Sequence, residues 1–383
     1  MSQGSTADVV VLGAGVIGTA IAWRCAGRGL RVTVLDPTPG AGAWHTAAGM
    51  LAPSTELHYG ETPLLRLNLA ALAAYPAFAA ELTERTGRLT GFAECGTVSA
   101  AWDGADFAAL TDLHAFGARL GIEAHLLSGQ ELRELEPALA PGLPGGLFAP
   151  SDHQVDPRLL HAALRAAAAQ AGASFATARA RVVLDGDRVS GVRLEDGTAL
   201  TAGCVVVAAG AWSAQVEGMP AHLAPRTRPV KGQTLRLRLP GAPRIAHVVR
   251  ASVKGSPVYL VPRADGQLVV GASSEEVGFD RTPRAGAVYE LLRDAQSVLP
   301  ELAEASLEEV ATGLRPGSPD NAPIVGPAGV AGLILATGHY RNGILLTPVT
   351  ADAVADLVTT GRLPALLEPF SPARFAAQPA GCP

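Results

Sequence analysis

Residues 338–346 read GHYRNGILL, which places one arginine, Arg341, between two glycines. An apolar run at 332–337 precedes the segment and a helical pattern follows it. A strand that ends in a glycine turn before a helix exposes free backbone N–H groups and so attracts anions. Arg341 adds a permanent cation whose planar fork pairs with a carboxylate through two parallel hydrogen bonds. A second such turn lies near the start of the chain. There an apolar run at 9–12 is followed by Gly13-Ala-Gly15-Val-Ile-Gly18. Gly13 permits the tight turn, Gly15 lets a pyrophosphate reach the backbone, and Gly18 lets the helix pack against the strand. Two distant parts of the chain therefore converge on one ligand.

The elements that must hold these residues follow from the pattern. Residues 19–26 are helical and 30–35 form a second strand, which ends at Asp36. A carboxylate there accepts hydrogen bonds from an adenosine ribose and disfavours a 2′-phosphate. The fingerprint fits NAD and FAD alike. The stretch AWHTAAGML at 43–51 is small, glycine-bearing and suited to lie along an extended cofactor. Further helices are expected at 68–85, with Pro76 as a kink or boundary, at 107–120, at 128–135 and at 157–171. Ser128 with Glu131 forms a capping box, and Asp156-Pro157 suits a helix start. Residues 91–101 read as a strand. Residues 137–150 hold four prolines and three glycines and read as an irregular crossing.

Strands are expected at 181–184, 191–194 and 204–208. The last is a buried parallel strand that ends at Gly210, where it would touch a cofactor. Strands at 232–239, 257–262 and 267–271, with an Asp265-Gly266 hairpin turn, suggest an antiparallel sheet distinct from the nucleotide fold. A helix is expected at 286–299.

The chain has 383 residues, 48% of them hydrophobic, and a net charge of -5. That length suggests about two domains. The charge gives no electrostatic case for nucleic acid. No uninterrupted apolar stretch of about 18 residues is seen, so no membrane span is expected. The polar start does not read as a signal peptide, so none is expected. Cys25, Cys95, Cys204 and Cys382 have neither paired spacing nor a histidine cluster, so reduced thiols and a cytoplasmic location are expected, without metal. His153 and His161 read as core or surface histidines.

The set GAGVIG, HTAAGMLAP, VVVAAGAWS, VYLVPR, VVGASSEEVGFD, GLRPGSPD and GHYRNGILL resembles the FAD-dependent glycine oxidases of thiamine biosynthesis, in the D-amino acid oxidase and sarcosine oxidase superfamily. The resemblance runs from about residue 8 to about 367. It implies an α/β fold with a discontinuous Rossmann-like FAD-binding domain (1–86, 146–222 and 312–375). A substrate domain with a mixed or antiparallel sheet would comprise 87–145 and 223–311. Matching motifs place Gly13, Gly15, Val16, Ile17, Gly18, Asp36, Ala48, Gly49, Met50 and Gly210 at FAD. They add Val182, with Val183 beside it, at the adenine. His339, Tyr340, Arg341, Asn342, Gly343, Ile344 and Leu345 would lie near the flavin ring. Arg341, Arg315 and Tyr259 would meet the substrate, with Arg341 as the leading carboxylate clamp.

The implied reaction is hydride transfer from the α-carbon of glycine to the flavin, with dioxygen reoxidising it to hydrogen peroxide. No catalytic base is assigned, because the flavin does the redox step. The imine gives glyoxylate and ammonia or is handed to a thiazole synthase. A sarcosine oxidase-like enzyme, a D-amino acid oxidase or dehydrogenase, a nicotinamide enzyme and a non-catalytic flavin-binding subunit are the alternatives. Ser273 and Ser274 could widen the pocket. Sarcosine oxidases carry a flavin-linking cysteine where residues 311–320 here have Gly313 and none, so the expected FAD is non-covalent. A homo-oligomer is also expected.

Overall fold

The computed structural model describes residues 5–241 and 245–375. Cys382 lies outside them. Two eight-stranded sheets carry the architecture. The first runs in the order Ile324–Pro327, Leu333–Thr337, Ala199–Val207, Ser5–Leu12, Val32–Leu35, Ser174–Ala176. Its four central strands are parallel. The hairpin Ala180–Asp185 and Arg188–Leu194 pairs antiparallel onto Ala199–Val207.

Alternation along Ser5–Leu12 shows why this sheet is buried on both faces. Val9 and Val11 pack with Ile21, Leu67 and Leu164 on one side, and Val10 and Leu12 pack with Val205 and Leu335 on the other. Continuous apolar strands are what a parallel sheet covered on both faces requires. The helix Val16–Gly27 lies between Pro157–Gln170 and Thr347–Thr360.

The second sheet runs Ser306–Gly317, Arg228–Arg238, Gln267–Gly271, Ser256–Pro262, Val248–Val253, Thr97–Ala101, Gly145–Ala149, His125–Ser128. It is mixed, since Val248–Val253 pairs parallel with Thr97–Ala101 while its other neighbours are antiparallel. The helix Ala285–Val298 covers one face through Leu291, Ala295 and Val298. Arg158, on the helix Pro157–Gln170, ties the two layers together with hydrogen bonds of 2.9 and 2.7 Å to the Glu309 carboxylate.

Several expectations change. The segment 137–150 is not wholly irregular, because Gly145–Ala149 is a paired strand. A Cβ at Gly146 would sit 2.7 Å from the Ser99 carbonyl, so glycine there serves close strand approach. The expected strand at 91–101 shrinks to Thr97–Ala101. The strands Val248–Val253 and Ser306–Gly317 were not foreseen. The domain limits at 145/146 and 311/312 fall within Gly145–Ala149 and Ser306–Gly317, both paired in the second sheet.

Pro76 ends nothing, since the helix runs unbroken from Thr62 to Thr86. That helix is also long and apolar enough by composition to cross a membrane. It buries Leu67, Tyr75, Phe78 and Leu82 in the core shared with the two helices beside it.

Candidate functional site

A cavity of about 700 Å³ runs between the two sheets. The glycine turn forms one end. Gly13 has φ +111°, and a Cβ there would lie 2.4 Å from the Ala208 carbonyl oxygen. A Cβ on Gly18 would lie 2.0 Å from the Gly13 oxygen, so Gly18 faces packing and does not line the cavity. Gly15 does line it, and only the Trp44 ring comes within 4 Å of where its Cβ would be. Val16 and Ile17 line the same end. Asp36 accepts hydrogen bonds from the Ala14 and Thr38 amides, each at 2.8 Å, and its side chain borders the cavity.

Ala48, Gly49 and Met50 form part of the wall. Gly49 has φ +78° and abuts the Val155 carbonyl, where a Cβ would come within 2.0 Å. The buried Arg263 guanidinium donates to the Ala48 carbonyl, to Gln154 Oε1 at 2.7 Å and to the Val155 carbonyl at 3.2 Å. Burial pulls the Arg263 pKa down to about 10, yet that still leaves it charged at neutral pH. Gly210 lines the cavity and accepts from Thr337 Oγ1 at 3.1 Å. Val182 does not line it. Its side chain is buried with Val10 and Val205, and its neighbours Arg181 and Ala180 face the cavity instead.

His339, Tyr340, Arg341, Gly343 and Ile344 line the middle of the cavity, whereas Asn342 and Leu345 do not. Leu345 is buried in the core. Tyr340 takes a left-handed conformation, φ +48°, and its amide donates to the Pro316 carbonyl at 3.0 Å. The Tyr75 hydroxyl, deep in the core, donates to the Ile344 carbonyl at 3.0 Å. His339 is buried, 3.1 Å from Thr350 Oγ1, and burial lowers its pKa to about 3, so the ring is neutral. The helix that follows begins at Thr347 with Pro348 in its first turn.

The far end holds the three expected substrate residues. The Arg315 guanidinium lies across Gly232, where a Cβ would come within 2.5 Å of it. It donates to the Ser273 carbonyl at 3.1 Å and the Lys231 carbonyl at 3.5 Å. Among the described residues no carboxylate comes within 4.0 Å of it. Tyr259 stands on the same wall, where burial raises its pKa and Arg315 opposes that rise. Arg341 is exposed and lies 2.8 Å from His58 Nε2.

One wall residue escaped the sequence. Glu56 accepts a 2.6 Å hydrogen bond from Arg250, on the strand Val248–Val253. Burial pushes its pKa up, but Arg250 and Arg341 outweigh that, so it stays ionised. A lone acid in a loop gives no periodic or motif signal. The site thus offers an unpaired guanidinium at one end, a glycine-rich dinucleotide cradle at the other and no metal cluster among the described residues.

A family model described as FAD dependent oxidoreductase matches residues 8–357. The glycine oxidase of Geobacillus kaustophilus is 37% identical over 367 residues, covering 95% of this chain and 96% of its own. Its crystal structure superposes with a TM-score of 0.88, covering 96% of this chain and 98% of that one. The bifunctional protein ThiO/ThiG of Synechocystis is 35% identical over 376 residues, covering 97% of this chain and 54% of its own. The chain spans about half the length of the bifunctional relatives it matches.

Proposed function

The chain belongs to the FAD-dependent oxidoreductase family, and from that premise we propose that it oxidatively deaminates glycine, with sarcosine and small D-amino acids as neighbouring substrates. The residues present fit FAD. A cradle that only glycine allows at Gly13 opens into a cavity bordered by Asp36 at one end and by Arg315 and Tyr259 at the other. When bound, FAD supplies the hydride acceptor and the route to dioxygen, which yields hydrogen peroxide.

The chain's own residues bind and orient. The free backbone amides at Gly15 and Val16 would receive the diphosphate, Asp36 the ribose, and Ala48, Gly49, Met50 and Gly210 the body of the cofactor, while the Gly13 amide is taken by the Leu35 carbonyl at 2.8 Å. His339, Tyr340, Arg341, Gly343 and Ile344 would hold the flavin end of the cofactor, with the curve of this segment fixed from beneath by Tyr75. Arg315 takes the substrate carboxylate. The observation that carries this assignment is a half-buried guanidinium held by two carbonyls, aimed into the cavity, with no acidic partner among the described residues. Tyr259 closes the pocket beside it. Arg341 stands at the mouth with His58 and Glu56, a second cation rather than the primary clamp.

The product imine hydrolyses to glyoxylate and ammonia or passes to a thiazole synthase, a hand-off that the bifunctional relatives support. The proposed division keeps 1–86, 146–222 and 312–375 as the cofactor part and 87–145 and 223–311 as the substrate part, with its limits moved to 149/150 and 317/318 so that Gly145–Ala149 and Ser306–Gly317 stay whole in the substrate sheet. Free Cys25, Cys95 and Cys204 support a reducing, cytoplasmic location. A homo-oligomer remains part of the proposal.

The test is a panel of glycine, sarcosine, D-alanine and D-proline, scored by peroxide release and by anaerobic bleaching of the flavin. Bleaching by glycine with peroxide on reoxidation is the expected result. Flavin that none of the four bleaches would sink the reading.

A further inference from the structure

Trp44 brings an aromatic side chain to the glycine-turn end of the cavity, and its surroundings are built rather than incidental. It sits in the short turn Ala43–His45, lines the cavity and is half-buried. Its Cδ1 is 3.7 Å from where a Cβ on Gly15 would be. Gly42 lets the indole fold back in this way, because a Cβ there would lie 2.8 Å from the ring.

The ring is stacked on His161 of the helix Pro157–Gln170, with centroids 3.8 Å apart and planes 15° apart. His161 is fixed in turn, since its Nε2 is 2.8 Å from the Ala14 carbonyl, inside the glycine turn. A carbonyl only accepts, so Nε2 carries the proton. Burial lowers the His161 pKa and keeps the ring neutral, so the indole stacks on an uncharged platform. Among the described residues, the Trp44 indole N–H has no hydrogen-bond partner. Neither does the turn offer a side-chain cap to the helix Val16–Gly27, whose N-terminal amides stay free for an anion.

We propose that Trp44 is a cofactor-binding residue: its indole roofs the glycine turn, its N–H donates to the diphosphate of the bound dinucleotide, and His161 holds it there. This rests on the FAD assignment and adds a retention device to it. A half-exposed tryptophan with a free donor beside a phosphate site suits the role, because tryptophan combines a large apolar body with one polar edge. A hydrogen bond to an ionised acceptor is roughly twice as strong as a neutral one, so removing the donor alone has a measurable effect.

The experiment follows FAD release from holoenzyme after dilution, read as recovery of flavin fluorescence, for wild type, W44F, W44L, H161L and H161Q. W44F keeps the stack and loses the donor; W44L loses both. The expected order is wild type slowest, W44F faster by roughly tenfold, a loss typical of a charge-assisted bond, and W44L faster still. H161L should behave like W44F or worse, and H161Q, which restores a donor to Ala14, should recover part of the loss. Far-UV circular dichroism of the loaded variants should match wild type, which separates loss of the donor from general misfolding. Wild-type release rates in W44F and W44L would overturn the proposal. Wild-type protein that carries no FAD would instead overturn the cofactor assignment on which it rests.

Discussion

Replacing Arg315 with alanine separates the two arginines that compete for the substrate carboxylate. A bidentate guanidinium–carboxylate pair makes two charge-assisted hydrogen bonds, each worth about 1.5–3 kcal/mol. Their loss removes about 3–6 kcal/mol, and each 1.4 kcal/mol is tenfold, so kcat/KM for glycine should fall by roughly 10²–10⁴. The lower part of that range is expected, because water enters the space and Arg341 still draws the carboxylate inward. The fold should tolerate the change. Arg315 is not tied to any acid among the described residues; its loss costs the Ser273 carbonyl a donor, while the Lys231 carbonyl keeps the Glu275 amide at 2.9 Å. FAD content should therefore be unchanged. In contrast, R341A removes an exposed side chain whose hydrogen-bond partner is His58, and exposed pairs contribute little, so its loss should stay below about tenfold. The assay is steady-state peroxide release against glycine concentration, with flavin absorbance as the loading control. An R315A enzyme within threefold of wild type, or an R341A enzyme impaired more than R315A, would refute the assignment.

Two further outcomes follow from the same geometry. The folded pKa of His339, about 3, lies below its ordinary 6.5, so unfolded chains take up the proton first and stability falls as pH drops from about 6.5 toward 3. The slope is about 1.4 kcal/mol per pH unit, or about 2 kcal/mol between pH 6.5 and 5; H339N should lack that component in urea titrations at the two pH values. Gly313 stands in the stretch where related sarcosine oxidases carry a linking cysteine, and it packs against Thr46, whose Oγ1 lies 2.8 Å from its absent Cβ. Acid precipitation should accordingly leave all the flavin in the supernatant, and colour in the pellet would contradict a non-covalent cofactor.

The features legible in the sequence are those whose causes are local. The glycine turn needs Gly13 for its φ and Gly18 for contact with its own neighbour, and both reasons lie within a few residues. Ser128 and Glu131 cap one helix reciprocally within four residues. The misreadings have non-local causes. Glu56 reaches the cavity wall held by Arg250, whose strand is placed by parallel pairing with Thr97–Ala101, some 150 residues earlier. Val182 turns its side chain into the core with Val10 and Val205, while Ala178 to Arg181 border the cavity. Ranking Arg315 above Arg341 required knowing that Gly232 makes room for one guanidinium and that His58 occupies the other. Neither neighbour is close in sequence.

The cavity takes its walls from residues as early as Leu12 and as late as Ile344. The central parallel strands Ser5–Leu12, Ala199–Val207 and Leu333–Thr337 join in that order across the sheet. A chain leaving the ribosome N-terminus first would display its glycine turn early, yet it could not enclose a dinucleotide until the segment that reaches Ile344 had been made. Cofactor capture therefore waits for a segment made long after the turn that first receives it. Until then the long apolar helix Thr62–Thr86 must wait, partly uncovered, for the helix Thr347–Thr360 that packs beside it.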